Sequence, residues 1–469
     1  MTRQPALLSF LTLGAALAAP LAFAQGEAKA PQKEQPWRLA DAIDAPDWLK
    51  ITGSVRPRYE TLANTLVAGR TGGDEFLNIQ TLLKAELNTG AIIAGAEFLD
   101  SRRLSGNAGG GVPGEIDAFE PAQAYLAWRP KDFLQPGATL DLTLGRFTMD
   151  VGSRRLIARA NYRSLLQGFD GARAIWTSDA DLKLTAFYTH PVTRLPSDIP
   201  SALDNEVTLN EGLDKVKFGG LNIEAPLPFS IIGEVYLFDL DEDDAPGNAT
   251  RNRDLSTLGA RLRIAPAQSK LDFDLEYASQ TGSTRATTSA VDTTDLDQDA
   301  HMLHAQLGYT FDLPWSPRFA LQYDQATGDN SPTDQSSQRF DPLFGDRAFE
   351  FGPTSIYGVI SRTNLSGPGV RLEVKPDKAS DANLSIRRLQ LESDTDSFAN
   401  SGVRDATGAS GDDVGTQFEV RYRRWLIPDS LRLAIGGAAV TRGDFLKSAP
   451  NATDEGDTLF GYTDLTWTF

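Results

Sequence analysis

From Lys50 onward the chain alternates apolar and polar residues with a period of two, the spacing that sends successive side chains to opposite faces of a β-strand. In Leu271-Asp-Phe-Asp-Leu-Glu-Tyr277, Leu271, Phe273, Leu275 and Tyr277 share one face, and Asp272, Asp274 and Glu276 the other. Val370, Leu372 and Val374 alternate with Arg371, Glu373 and Lys375. Leu258, Ala260, Leu262 and Ile264 oppose Arg261 and Arg263, and Phe418, Val420 and Tyr422 oppose Glu419, Arg421 and Arg423. Soluble sandwiches alternate as well, but over strands of about 5–6 residues. The runs here last about 10–13, the length a tilted strand needs to cross an outer membrane. A strongly apolar face backed by a charged one predicts a wall with lipid on one side and water on the other.

Eighteen such segments begin near residues 49, 75, 90, 120, 138, 169, 181, 215, 229, 255, 270, 300, 317, 367, 382, 415, 430 and 458. An even number returns both ends of a barrel to the same side of the membrane. Connections after odd-numbered segments are mostly long (101–116, 191–214, 240–254, 279–299, 328–366, 395–414, 442–457), and those after even-numbered ones short (88–90, 178–180, 226–228, 265–269, 427–429). Long extracellular loops alternating with short periplasmic turns are expected of this class. Residues 353–365 are placed in a loop, since another strand there would break the alternation. All seven tryptophans fall near the short-turn side, where an aromatic girdle belongs. The predicted fold is a single all-β transmembrane barrel occupying residues 49–469. It closes on an alternating strand ending in Phe469, the kind of signal that barrel-assembly machinery reads.

Residues 1–24 carry a basic start (Arg3), an apolar stretch from Ala6 to Ala19 and Ala22-Phe23-Ala24 before Gln25, which reads as a cleaved signal peptide. Residues 25–48 read as a periplasmic leader, polar to Pro36, with a short amphipathic helix expected between Trp37 and Leu49. Together these predict export to a bacterial outer membrane.

Composition removes several classes of chemistry. The chain has 469 residues, no cysteine, three histidines and a formal charge of -18. Thiolate sites and Cys nucleophiles are excluded, and nucleic acid is not an expected partner of so acidic a chain. Gly109 to Gly114 matches a dinucleotide glycine pattern, but no strand leads in, no helix follows and Pro113 interrupts it. His301 and His304, three apart on a strand, point to opposite faces and cannot share a metal. Asp239 to Asp244 resembles the start of a calcium loop, but Asp244 stands where glycine is required. It reads as a solvated acidic loop, with a loose Ca2+ site as the alternative; no other cofactor is expected. With no nucleophile or metal-hydrolase motif, the chain is not read as an enzyme.

Positive charge, scarce overall, concentrates between residues 146 and 173, where Arg146, Arg154, Arg155, Arg159, Arg163 and Arg173 accompany two acids, Asp150 and Asp170. Folded into a barrel mouth, such a segment would focus anions. On the outside it would instead grip lipopolysaccharide phosphates. Strand parity adds Arg56, Arg58, Arg129, Arg371, Arg421 and Arg423 to the inner face, with Lys84, Arg261, Arg263 and Lys375 beside them. Glu60, Glu86, Glu97, Asp272, Asp274, Glu276, Glu373 and Glu419 point inward as well. The candidate selectivity residues are therefore Arg56, Arg58, Arg129, Arg146, Arg154, Arg155, Arg163, Arg173, Arg371, Arg421 and Arg423.

Three stretches carry a family likeness: Arg38 to Trp48 running into Gly53-Ser-Val-Arg-Pro-Arg-Tyr59; Leu144-Gly-Arg-Phe147 through Gly152-Ser-Arg-Arg-Leu-Ile157 to Phe169-Asp-Gly-Ala-Arg173; and Tyr323 to Gly328 with Phe340-Asp-Pro-Leu-Phe344 and on to Asn364. The chain resembles the alginate-export family of outer-membrane β-barrels. That resemblance implies an 18-stranded monomer with an electropositive constriction selecting polyuronates, carried by Arg56, Arg58, Arg146, Arg154, Arg155 and Arg173. Phe147 departs from the polar residue usual after Gly-Arg. The expectation is a channel for anionic polysaccharide, alginate or a related polyuronate, or for other anionic sugars, working with periplasmic export proteins. The alternative is a porin for small carboxylates or oligosaccharides.

Overall fold

The computed structural model describes residues 36–106, 114–245, 249–353, 357–453 and 455–469. The expected signal peptide, the expected polar leader to Gln35 and most of the Gly109–Gly114 pattern lie outside the described residues. Twenty hydrogen-bonded segments form one sheet, and two of them (Glu211–Gly212, Ser336–Ser337) are only two residues long. The other eighteen are the barrel strands: β1 Leu49–Ala63, β2 Asp74–Asn88, β3 Ile92–Gly106, β4 Asp117–Trp128, β5 Thr139–Phe147, β6 Phe169–Thr177, β7 Lys183–Thr193, β8 Val216–Leu227, β9 Ile231–Glu242, β10 Asp254–Ile264, β11 Leu271–Thr284, β12 Leu296–Thr310, β13 Arg318–Ala326, β14 Leu365–Asp377, β15 Ser380–Gln390, β16 Asp413–Ile427, β17 Leu431–Arg442 and β18 Thr458–Thr468. Each pairs antiparallel with its neighbours in sequence, and β1 closes on β18 through Arg58↔Asp464 and Tyr59↔Thr463.

Burial is inverted relative to a soluble protein. On β11, Leu271, Leu275 and Tyr277 are exposed, while Asp272 and Glu276 are buried. The same holds on β10, where Leu258 is 62% exposed, and on β16, where Val420 is exposed and Glu419 buried. A leucine costs nothing on the lipid side, and a carboxylate is stable inside when a guanidinium meets it. This inversion is why alternation specifies the register so strongly. Residues 353–364 lie in the connection before β14, as expected, with 354–356 outside the described residues.

At the short-turn end, Trp48, Trp128, Trp315 and Trp467 are exposed in a band. The helix expected over Trp37–Leu49 is only Leu39–Ala42; Asp44 takes a left-handed conformation (φ 51) and Pro46 follows, which ends it early. Trp37 nonetheless packs on Trp467 (5.4 Å) and Phe469 (5.9 Å). Arg38 donates to the carbonyls of Thr468 and Asp429.

Two long connections turn inward. Residues 148–168, between β5 and β6, and residues 327–364, between β13 and β14, bury apolar side chains inside the barrel. Met149, Val151, Leu156 and Ile157 join Phe169, Phe218, Phe238 and Phe340 in one cluster. Phe351, Tyr357, Val359 and Ile360 join Leu62, Phe76, Leu389 and Phe460 in another. The two loops meet where Ile157 bridges Phe344 in parallel and the Phe344 N–H donates to the Leu156 carbonyl. They form a plug across the lumen.

Candidate functional site: the plugged lumen and its arginines

Arg155 anchors the plug. It is 2% exposed, and it donates to Glu350 Oε1 (2.7 Å), Glu276 Oε2 (2.5 Å) and Asp274 Oδ2 (3.2 Å). One guanidinium thus joins the first inward loop to the second and to β11. Glu350 also takes Arg362, which donates in turn to the Arg155 and Asp346 carbonyls. On the far side, Arg56 donates to the Asn161 carbonyl (3.1 Å) and Ser164 Oγ (3.0 Å), and Gln80 to Asn161 Oδ1 (2.9 Å). Arg58 sits between the rings of Tyr162 (4.2 Å) and Tyr462 (4.5 Å), with Glu60 at 2.6 Å and Asp464 at 3.5 Å. Tyr462 can lie there because the residue opposite it on β17 is Gly436, where a Cβ would come within 2.5 Å of the ring.

The run of arginines in the sequence is thus not a bare patch in space. Arg146 makes a two-pronged bond to Asp170 (2.7 and 2.9 Å) and a third to Glu120. Arg129 takes Asp141 (2.7 Å), and Arg159 takes Glu97 (2.8 Å). Arg154 lies over the Phe349 ring at 4.8 Å, its backbone left-handed (φ 69) at the turn. Arg163 reaches the Gly358 carbonyl, and Arg371 the carbonyls of Phe349 and Glu350. Arg173 rests on Phe147 at 5.2 Å, which gives that unexpected aromatic a role as its seat. Most residues of the 146–173 segment hold the plug together.

A second set of arginines with few acids lies on the arc from β15 through β18 to β1. Arg423 makes a two-pronged bond to Asp381 (3.0 and 3.1 Å), and Arg421 reaches the same carboxylate at 3.6 Å. Both are about a third exposed to the lumen, 33% and 30%. Arg432 lies over Trp425 at 5.4 Å and has no carboxylate within ion-pair distance among the described residues. The Nε atoms of Arg56, Arg421 and Arg432 are buried without a hydrogen-bond partner among the described residues. Buried donors in that state favour an anion that can supply the missing acceptors. Arg432 was missing from the sequence candidates although its parity on β17 points it inward. Glu350 and Arg362 had no local signal at all.

His304, Asp324 and Glu350 offer ligand atoms within 4.8 Å of one another. Asp324 is already held by Arg387 and His304, and Glu350 by Arg155 and Arg362. A divalent cation would have to enter against three guanidinium groups, so the cluster is an ion-pair network tying plug to wall. The acidic run Asp239–Asp244 begins on β9 with its side chains alternating: Lys217 meets Asp241 outside, Arg253 meets Glu242 inside, and Arg285 reaches Asp244.

A family profile described as alginate export matches residues 47–459. A search of curated proteins finds no match. Among solved structures, the outer-membrane protein OpdK of Pseudomonas aeruginosa is similar at a TM-score of 0.56 and 12% identity, over 90% of this chain and 98% of that one. OpdL of the same organism gives the same four values. OccK5 (OpdH), also from Pseudomonas aeruginosa, gives 0.54 and 11% over 90% and 98%. At these identities the likeness is one of fold, a closed 18-stranded outer-membrane barrel.

Proposed function

This chain belongs to the alginate-export family, and from that premise we propose that it is an outer-membrane channel for anionic sugars, uronates and polyuronates among them. Family and fold together are those of a transport channel in the outer membrane. The observation that carries the anionic reading is the guanidinium surplus at Arg421, Arg423 and Arg432, where two arginines share Asp381 and the third lacks an acid. A planar guanidinium fork matches a carboxylate in two places at once. Interspersed acids such as Asp381, Asp464 and Glu419 keep each stop shallow, so that a bound solute leaves again. In this reading the exposed apolar wall faces lipid and lipopolysaccharide, and the periplasmic end is open to export partners.

A second reading, small carboxylates or short oligosaccharides, is favoured by the plug. Two loops fastened to β1, β2 and β11 narrow the lumen and suit a short solute better than a thick polymer. Flux into liposomes separates the two when glucose, glucuronate and uronate oligomers of rising length are compared. Glucuronate should enter faster than glucose, and R421Q/R423Q/R432Q should erase the difference. A flat or reversed order overturns the anionic reading. A sharp cutoff at one or two rings selects the small-solute form of it.

A further inference from the structure

At the loop end of the barrel, above the plug, lies a cavity of about 540 Å3, within the roughly 300–1,000 Å3 range of small-molecule sites. It opens among the ends of β7, β8 and β9 and the connections at 249–253 and 285–295. Its lining is sorted by chemistry. Leu213, Val216 and Phe344 form an apolar side, Thr193 and Thr288 supply hydroxyls, and Arg194, Arg251 and Arg253 supply charge. Phe344 is also the residue that joins the two plug loops, so a solute here would rest against the plug.

The three arginines differ in how they are occupied. Arg253 is held by Glu242 and by Asp341 (2.6 Å), so the three arginines of the lining outnumber its two acids by one. Arg194 donates to the Ile116 carbonyl at 3.2 Å. Arg251 donates its Nε to the Arg285 carbonyl (2.8 Å), and the Arg285 N–H donates back to the Arg251 carbonyl (2.7 Å). This reciprocal pair fixes Arg251 between two loops and leaves it with no carboxylate within ion-pair distance among the described residues. Burial, opposed by Asp341, lowers the Arg251 guanidinium from its ordinary value. A half-buried cation that is rigidly held and lacks a counter-ion is an arrangement that an incoming anion improves.

We propose that this cavity is a loop-side binding site for one carboxylated sugar, with Arg251 and Arg194 taking the carboxylate, Thr193 and Thr288 the hydroxyls, and Phe344 the C–H face of the ring. The proposal rests on the anionic-sugar reading and adds a second station to it, on the opposite side of the plug from Arg421 and Arg423.

The test is equilibrium binding to the full barrel in detergent, with glucuronate and glucose as probes. Glucuronate should bind saturably, and glucose at least about tenfold more weakly, for want of the charge-assisted bonds. R251Q should weaken glucuronate by at least about tenfold, and R251K by less, since an ammonium keeps the charge but not the fork. T288V should weaken both sugars alike. Equal affinity for the two sugars, or R251Q binding like the wild type, overturns the site. Should R251Q fail to fold, R251K carries the same comparison. Ion selectivity of the unaltered channel in KCl is a separate reading: cation preference there would sink the anionic channel whatever this cavity binds, and anion preference with no effect of R251Q would sink only the cavity.

Discussion

Arg155 faces Asp274, Glu276 and Glu350 from a position almost closed to solvent, so replacing it leaves three carboxylates in a poorly solvated space. Breaking a buried pair from one side costs about 3–5 kcal/mol. R155M is therefore expected to release the plug before it unfolds the barrel, because the strands keep their ladders. Single-channel conductance should rise, with the transition temperature of the folded form lowered by several degrees. Unchanged conductance would mean that the plug does not depend on this residue. A pH effect belongs at the same scale. Glu115, in the connection before β4, is 1% exposed, and burial pushes its carboxyl up to about 7 despite the neighbouring Arg103. The folded protein then holds a proton there that the unfolded chain releases near pH 4.5. Below about 4.5 both states are protonated and the burial costs nothing; stability falls as pH rises towards about 7, and the loss is complete above it. Thermal unfolding between pH 4 and 8 should show this slope, and E115Q should flatten it. An unchanged slope in E115Q would place its origin elsewhere.

At the scale of elements, the closing seam is held by more than the β1–β18 ladder. The Phe469 N–H and carbonyl exchange bonds with Gly53 (2.9 and 2.8 Å), and a Cβ at Gly53 would lie 2.6 Å from the Phe469 ring. Trp37 and Arg38 cover the same corner. G53V should push the terminal ring aside, and W37A should remove about 1 kcal/mol of aromatic contact. Both should lower the temperature at which the barrel loses its compact, fast-migrating form on electrophoresis, G53V more than W37A. No shift in either would show that the ladder alone closes the barrel. The strands themselves were legible in the sequence, starting within four residues of their expected positions even at β12. Lipid imposes alternation on every strand locally, and a slip by one residue would turn charges outward. The inward loops were not legible in the same way. Arg155 and Glu350 are 195 positions apart, and nothing in either neighbourhood announces the other. Arg146 to Arg173 looked basic because its counter-charges, Glu120, Glu97, Asp274, Glu276 and Glu350, come from four other parts of the chain. Parity alone would have found Arg432.

For the whole molecule, the proposed anion path is compatible with a strongly acidic chain because the charges are sorted by place. Acids dominate the rim, as at Asp239, Asp241, Asp297 and Asp299, and pair with arginine inside the plug. Guanidinium groups with no carboxylate within ion-pair distance among the described residues lie on the β15–β1 arc at Arg56 and Arg432, in the plug at Arg154 and Arg163, and at the loop end at Arg251. Net charge is therefore a poor guide to what a pore selects, since the local field along the path decides it. The measurement that tests this most directly is the reversal potential of the reconstituted channel across a KCl gradient. The wild type should favour chloride, and R421Q/R423Q/R432Q should move the potential towards zero or to the opposite sign. A wild type that prefers potassium, or a triple variant with an unchanged potential, would contradict the account.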